Sequence, residues 1–173
     1  MNKYQPTIIN EEYLKEYSLF PKNYDLTEIW NFVPIAEEIH IQSIIGVALF
    51  EELLDQVSNN NLTSENSTLI LEIYKVEGLA VMYEALPFCW AHLSQVGITL
   101  GKSDNSDSIA NKDIAYLTTH IKSQLEFQKN QLKKFMVRNA EYFPLYDKDV
   151  YDDVSVKTTK SIFAIPKDMV DIN

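Results

Sequence analysis

The sequence is poor in the residues that cross-link, punctuate or bind phosphate. Cys89 is its single cysteine, so no disulfide can form within one copy, and a reducing compartment is the plain expectation. Glycine occurs four times in 173 residues, and long apolar-periodic stretches dominate, so helices are expected to prevail. Arg138 is the only arginine, which leaves bidentate recognition of phosphate or guanine almost unavailable. No uninterrupted apolar run approaches the roughly 18 residues that span a bilayer. The opening MNKYQPTIINEEY has neither the apolar core nor the cleavage pattern of an export signal. The sequons Asn61-Leu62-Thr63 and Asn66-Ser67-Thr68 therefore read as accidental.

What is present is an ordinary globular composition, 46% hydrophobic and 23% charged. A chain of this length buries roughly 70% of its unfolded surface, so neither a disulfide nor a metal is needed for folding. The organisation expected is one helical domain, residues 1–146, followed by an extended arm, residues 147–173. Net charge is −10, which disfavours a dedicated nucleic-acid binder. The sign is unevenly spread: −7 over residues 1–60, −4 over 61–111, +3 over 112–146 and −2 over 147–173. An acidic front and a basic late helix can attract one another, within the fold or between copies; they can equally be solvated helix faces.

Along the chain, Asn10 is placed to cap a short helix Glu11–Tyr17, which Leu19-Phe20-Pro21 ends. A second helix is predicted from about Asp25 to His40, with Ile29, Phe32, Val33, Ala36 and Ile39 on one stripe and a kink or split at Pro34. Ile44-Ile45-Gly46 makes a tight corner into a third helix, Val47 to about Ser58, and Ser58-Asn59-Asn60-Asn61 reads as a loop. The region from about Glu65 to Leu93 is apolar on nearly every side and belongs at the centre, with Gly78 and Pro87 marking kinks or a break. A short strand or hairpin over Val96–Leu100 is possible within an otherwise irregular segment. Asn111 can then cap a long final helix to about 142, stopped by Pro144. Its stripe is Ile114, Leu117, Ile121, Leu125, Leu132, Phe135 and Asn139, with Lys122, Lys129 and Lys133 on other faces. These three lysines are the candidate subunit interface. In the arm, Ile162, Phe163, Ile165 and Pro166 form one extended, β-prone run, the candidate docking segment for a neighbour or partner. The fold class expected is thus mainly α, a kinked helical bundle with a long C-terminal helix, a short irregular or β-hairpin loop and an extended arm.

Motifs with chemical potential are weak. Gly97-Ile-Thr-Leu-Gly101-Lys102-Ser103 has three residues between its glycines where a phosphate-cradling loop needs four. Asp104 and Asp107 lack the spacing, glycine and closing glutamate of a calcium loop. Glu37-Glu38-Ile39-His40 holds one Glu-x-x-His, the unit of di-iron bundles, but neither His92 nor His120 has a carboxylate three positions earlier. A surface Glu–His pair is the reading adopted. Cys89 and His92 lie one turn apart, yet zinc needs four ligands, so Cys89 reads as a buried inert thiol. No catalytic, cofactor-binding or metal-binding residues are assigned, and neither an enzyme nor a cofactor is expected.

One ordered set of segments goes beyond a generic bundle. It begins with Ile29…Phe32-Val33-Pro34-Ile35-Ala36-Glu37-Glu38, followed by Ile44-Ile45-Gly46-Val47-Ala48-Leu49-Phe50-Glu51-Glu52-Leu53. Val81-Met82-Tyr83-Glu84-Ala85-Leu86-Pro87-Phe88 and Leu93-Ser94-Gln95-Val96-Gly97-Ile98 come next, and a long helix closes on Tyr142-Phe143-Pro144-Leu145-Tyr146. In that order they resemble the head–tail connector (adaptor) proteins of tailed bacteriophages, in particular the ring-forming connectors of crAss-like and other Bacteroidetes phages. The resemblance covers about residues 25–146 and rests on packing motifs. It implies a helical protomer that forms a ring, twelve-fold in expectation, between portal and tail in the virion neck. Such a ring extends the channel through which genomic DNA passes without sequence-specific binding. The implied partners are the portal, identical subunits and downstream tail or ring proteins, with no membrane and with assembly in the host cytoplasm. The alternatives are a helical scaffold or regulatory protein binding partners through its C-terminal tail, and an enzyme using Cys89 or the Glu37–His40 pair.

Overall fold

A computed structural model of the chain describes residues 6–94, 97–100 and 111–146. It is a mainly helical bundle built around one central helix. The chain enters as an irregular segment that bends at Ile8 and Ile9, and these two residues, each 1% exposed, insert into the core. Helix α1, Glu11–Tyr17, follows; the Asn10 side chain accepts the Tyr13 N–H at 2.9 Å, and Glu11 and Glu12 sit in the first turn, where the helix dipole favours acids. Its last turn closes as the Ser18 N–H donates to the Leu14 carbonyl.

The second helix starts later than expected. Asp25 accepts hydrogen bonds from the Thr27 N–H and hydroxyl, and a series of turns carries the chain through Leu26–Trp30. Helix α2 is Phe32–Ala36, which widens into a π-helical segment, Glu37–Gln42, and closes as α3, Ser43–Ile45. Pro34 does not split it. It lies in the first turn, where a backbone N–H has no helical acceptor in any case. The predicted stripe also needs correction at Ile39, which is 49% exposed. The buried positions are Val33, Ala36, Glu37, His40, Ile41, Ile44 and Ile45. That is one helical face carrying two polar residues, which a search for apolar positions alone steps over. Gly46 then turns the corner with φ 87°, the left-handed side that glycine tolerates.

Helix α4, Val47–Ser58, buries Leu49, Phe50 and Leu53 as its period predicts. It ends in a Schellman turn: Asn60 takes φ 53°, its N–H donates to Val57 and the Asn61 N–H donates to Gln56. Helix α5, Ser64–Trp90, is the centre, packed against α1, α2, the π segment and α6. It runs uninterrupted through both predicted breaks and stops short of Leu93. Pro87 falls near the C-terminal end, where its missing N–H costs a single hydrogen bond. Gly78 instead serves close approach, since a Cβ there would lie 2.3 Å from the Tyr17 carbonyl oxygen.

After α5 the chain forms an antiparallel hairpin, β1 Ala91–Ser94 with β2 Gly97–Leu100, pairing Ala91 with Leu100 and Ser94 with Gly97. Helix α6, Asn111–Arg138, buries Ile121, Leu125, Leu132 and Met136. It ends earlier than the predicted 142. Asn139 donates both its backbone and side-chain N–H to the Phe135 carbonyl, and a 3-10 turn, Ala140–Tyr142, follows. Phe143 and Tyr146 then plug back into the core. The division at residue 146 and the arm beyond it lie outside the described residues.

Candidate interaction surface and a buried carboxyl cluster

Two features of the molecule are chemically unusual: a carboxyl pair in the core and a segregation of charge on the surface. Glu37 from the π segment and Glu77 from α5 meet inside the bundle at 3% and 0% exposure. The Ile8 N–H donates to Glu37, tying the entering chain to the pair. Enclosed on every side, the Glu77 carboxyl has only the Glu37 carboxyl and the Ile9 backbone as polar neighbours among the described residues. Burial pushes the Glu77 carboxyl well above the usual carboxylate range, and the neighbouring Glu37 pushes it further. Glu37 is also raised by burial, opposed by hydrogen bonds from Glu77 and from the Ile8 and Ile9 backbone. Both effects favour the protonated form of Glu77, and a protonated carboxyl beside Glu37 can donate to it. The Tyr74 hydroxyl, one turn away on α5, is raised too, first by burial and then by Glu77.

The neighbouring pair is separate. His40 Nε2 and Glu84 Oε1 lie 2.8 Å apart with the His40 side chain 8% exposed. The surface Glu–His pair read from the sequence is therefore corrected: both residues are interior, and each is partnered across to α5 rather than to the other. Two Glu residues and a His on facing helices resemble half of a di-metal bundle. Among the described residues, however, no group of three or more His, Cys, Asp or Glu side chains converges to hold a metal ion. Sequence reasoning missed Glu77 altogether. Its signal was an acid at helical spacing from Ile70, Ile73 and Val81, on a face that is otherwise apolar, where a charge demands an explanation.

The remaining motifs settle as follows. Cys89 is half-buried, and burial pushes its thiol up, with Tyr24 in hydrogen-bond contact. That disfavours the thiolate a nucleophile needs. Gly97–Leu100 is a hairpin strand, whereas a phosphate loop needs a parallel strand running into a helix. Gly101, Lys102, Ser103, Asp104 and Asp107, and the arm residues Ile162, Phe163, Ile165 and Pro166, lie outside the described residues. An open groove of about 1060 Å³ runs between the entering chain, the Leu26–Trp30 turns and the first half of α5, with Tyr13, Leu62 and Leu71 on its walls.

A second polar cluster ties α4 to α5. Asn66, 4% exposed, donates to Gln56 Oε1 at 2.9 Å and Glu52 Oε1 at 3.3 Å, while Gln56 donates to Glu52 at 2.7 Å. A side chain so enclosed is a poor glycan acceptor. That agrees with the reading of its sequon as accidental.

On the surface, residues 6–94 expose nine carboxylates, among them Glu11, Glu12, Glu28, Glu38, Glu51 and Asp55, against two lysines, Lys22 and Lys75. Among its described side chains, helix α6 exposes the opposite sign through Lys122, Lys134 and Arg138, with Glu126 as the exposed acid. Of the three candidate lysines, Lys122 is exposed and Lys133 half-buried. Lys129 is not on another face: it sits on the packed stripe one turn from Leu125 and Leu132, 16% exposed, with its ammonium 3.1 Å from Glu126. A lysine stem can lie along an apolar seam and lift its charge out, which is why the pattern hid it.

No helix among the described residues is long and apolar enough to cross a membrane. No curated protein and no solved structure matches the chain. One protein family does: its pattern covers residues 41–154, about two thirds of the chain, from the π segment through the Gly46 corner, α4, α5, the hairpin and α6. The chain therefore belongs to that family, described as the family of unknown function DUF6712.

Proposed function

We propose that the chain is a structural subunit of the neck of a tailed bacteriophage, a head–tail connector that forms a ring between portal and tail. The observation that carries this reading is the segregation of exposed charge within one protomer, acidic over residues 6–94 and basic along α6. A cyclic ring needs heterologous interfaces, one face of each copy meeting a different face of the next, and opposite charge on two faces supplies the steering and register for that contact. The ordered packing segments over residues 25–146, which resemble connector proteins, supply the virion context. On this reading the partners are the portal, identical subunits and downstream tail proteins, and the chain works by shape. A predominantly acidic lumen repels the DNA backbone, so the genome slides through without adhering.

The test is native mass spectrometry and electron microscopy of the chain, alone and co-expressed with the portal protein of the same genome. A closed ring, twelve-fold in expectation, supports the reading. A chain that stays single in both samples overturns it, as does turnover of a small substrate that vanishes on replacing Cys89 or His40.

A further inference from the structure

Helix α6 carries a second face that the bundle does not use. Tyr116, His120, Phe127, Lys134 and Arg138 recur at helical spacing on the side opposite Leu125, Leu132 and Met136. Tyr116 is 76% and Phe127 56% exposed, two large aromatics held in water on a helix whose inner stripe is already buried. Over the 22 residue steps from Tyr116 to Arg138 the stripe is about 33 Å long, the reach of a whole helix–helix contact. Aromatic anchors beside cations are the composition found at the centre of protein interfaces.

A complementary surface lies on the other side of the sequence. Ile35 and Ile39 are 42% and 49% exposed on the outer face of α2 and the π segment, with exposed Glu38 between them. Phe32 extends this patch to Phe88, itself 51% exposed, with ring centroids 5.0 Å apart. One surface is aromatic and basic, the other apolar and acidic. From this match in charge and apolar content we infer that the outer stripe of α6 is one half of a copy-to-copy interface, and that its occupant is the Ile35–Glu38–Ile39 face of a second copy. The inference rests on the connector reading and sharpens it, because it moves the contact from Lys129 and Lys133 to Tyr116, Phe127, Lys134 and Arg138. The contact is head-to-tail, so it propagates from copy to copy and closes only when the rotation between copies allows.

The experiment compares assembly of three chains by sedimentation and native mass spectrometry, in whichever sample, alone or with portal, the unaltered chain assembles. Lys134→Glu with Arg138→Glu, and separately Glu38→Lys, are each expected to weaken assembly at least tenfold; mixing the two altered chains restores it, because each supplies the sign the other now needs. All three positions are exposed, so circular dichroism melts are expected to coincide, and coincident melts separate lost assembly from lost folding. A second measurement pairs Ile39→Cys and Phe127→Cys chains in a Cys89→Ser background. Disulfides joining the two different chains support the inference, and disulfides only between identical chains overturn it. Assembly unchanged by both charge variants overturns this interface and leaves the connector reading standing. An unaltered chain that never assembles overturns both.

Discussion

Helices α5 and α6 are nearly equal in length, 27 and 28 residues, yet they answer to different constraints. Helix α5 is enclosed from several sides, so nearly every position is set by what touches it, including a glycine that admits the end of α1 and a buried acid that meets Glu37. Helix α6 is set along one stripe only. Its outer face is free to carry charge and aromatics that contribute nothing to the folding of one copy. A central helix therefore records the fold, and a peripheral one can record an interaction.

That contrast predicts a steep gradient of mutational cost. The largest effect is expected at Gly78. Gly78→Ala gains about 1 kcal/mol of helix propensity but forces a methyl against the Tyr17 backbone, and a net loss of about 2 kcal/mol or more should appear in urea unfolding. Glu37→Ala comes next, at about 2 kcal/mol, because the buried Ile8 N–H loses its acceptor. Asn66→Ala should cost about 1–2 kcal/mol by stripping the donor from Glu52 and Gln56. On α6, Phe127→Ser should change single-copy stability by less than about 0.5 kcal/mol while impairing assembly. An outer-face substitution on α6 as costly as Gly78→Ala would break the comparison.

The carboxyl pair gives a pH test that sharpens it. Glu77 binds its proton more tightly folded than unfolded, so its contribution is fully present below the ordinary glutamate value of 4.5 and is lost as pH rises toward its raised folded value. Within that window the slope is about 1.4 kcal/mol per pH unit for each proton held. Glu77→Gln keeps the shape and a donor but cannot titrate, so its stability profile above pH 4.5 should be flatter than that of the unaltered chain. Parallel profiles, measured by urea unfolding at matched ionic strength, would show that Glu77 is ionised in the fold.

Much of the architecture was legible in the sequence because it rests on local causes. The Asn10 cap, the Gly46 corner, the limits of α4 and the centrality of the apolar α5 follow from propensity, period and turn chemistry. The errors share another origin. Pro34 and Pro87 were read as kinks or breaks; neither interrupts its helix, because a proline's effect depends on where in the helix it falls, and that was fixed by the late start at Phe32 and the stop at Trp90. Glu37 and His40 were read as surface residues because polarity alone does not reveal a partner forty residues away. Ile8 and Ile9 lay in a segment with no period to advertise their burial.

The sequence by itself determined a helical chain with scarce turns, one long apolar helix and a reversal of charge near its end, since each of these is carried by near neighbours along the chain. Only the tertiary structure decided which acids enter the core, which lysine lies along a seam and which apolar residues remain in water. Those outcomes depend on what other elements bring to the same place, and a burial cost or a carboxyl pair exists only once two distant segments have met.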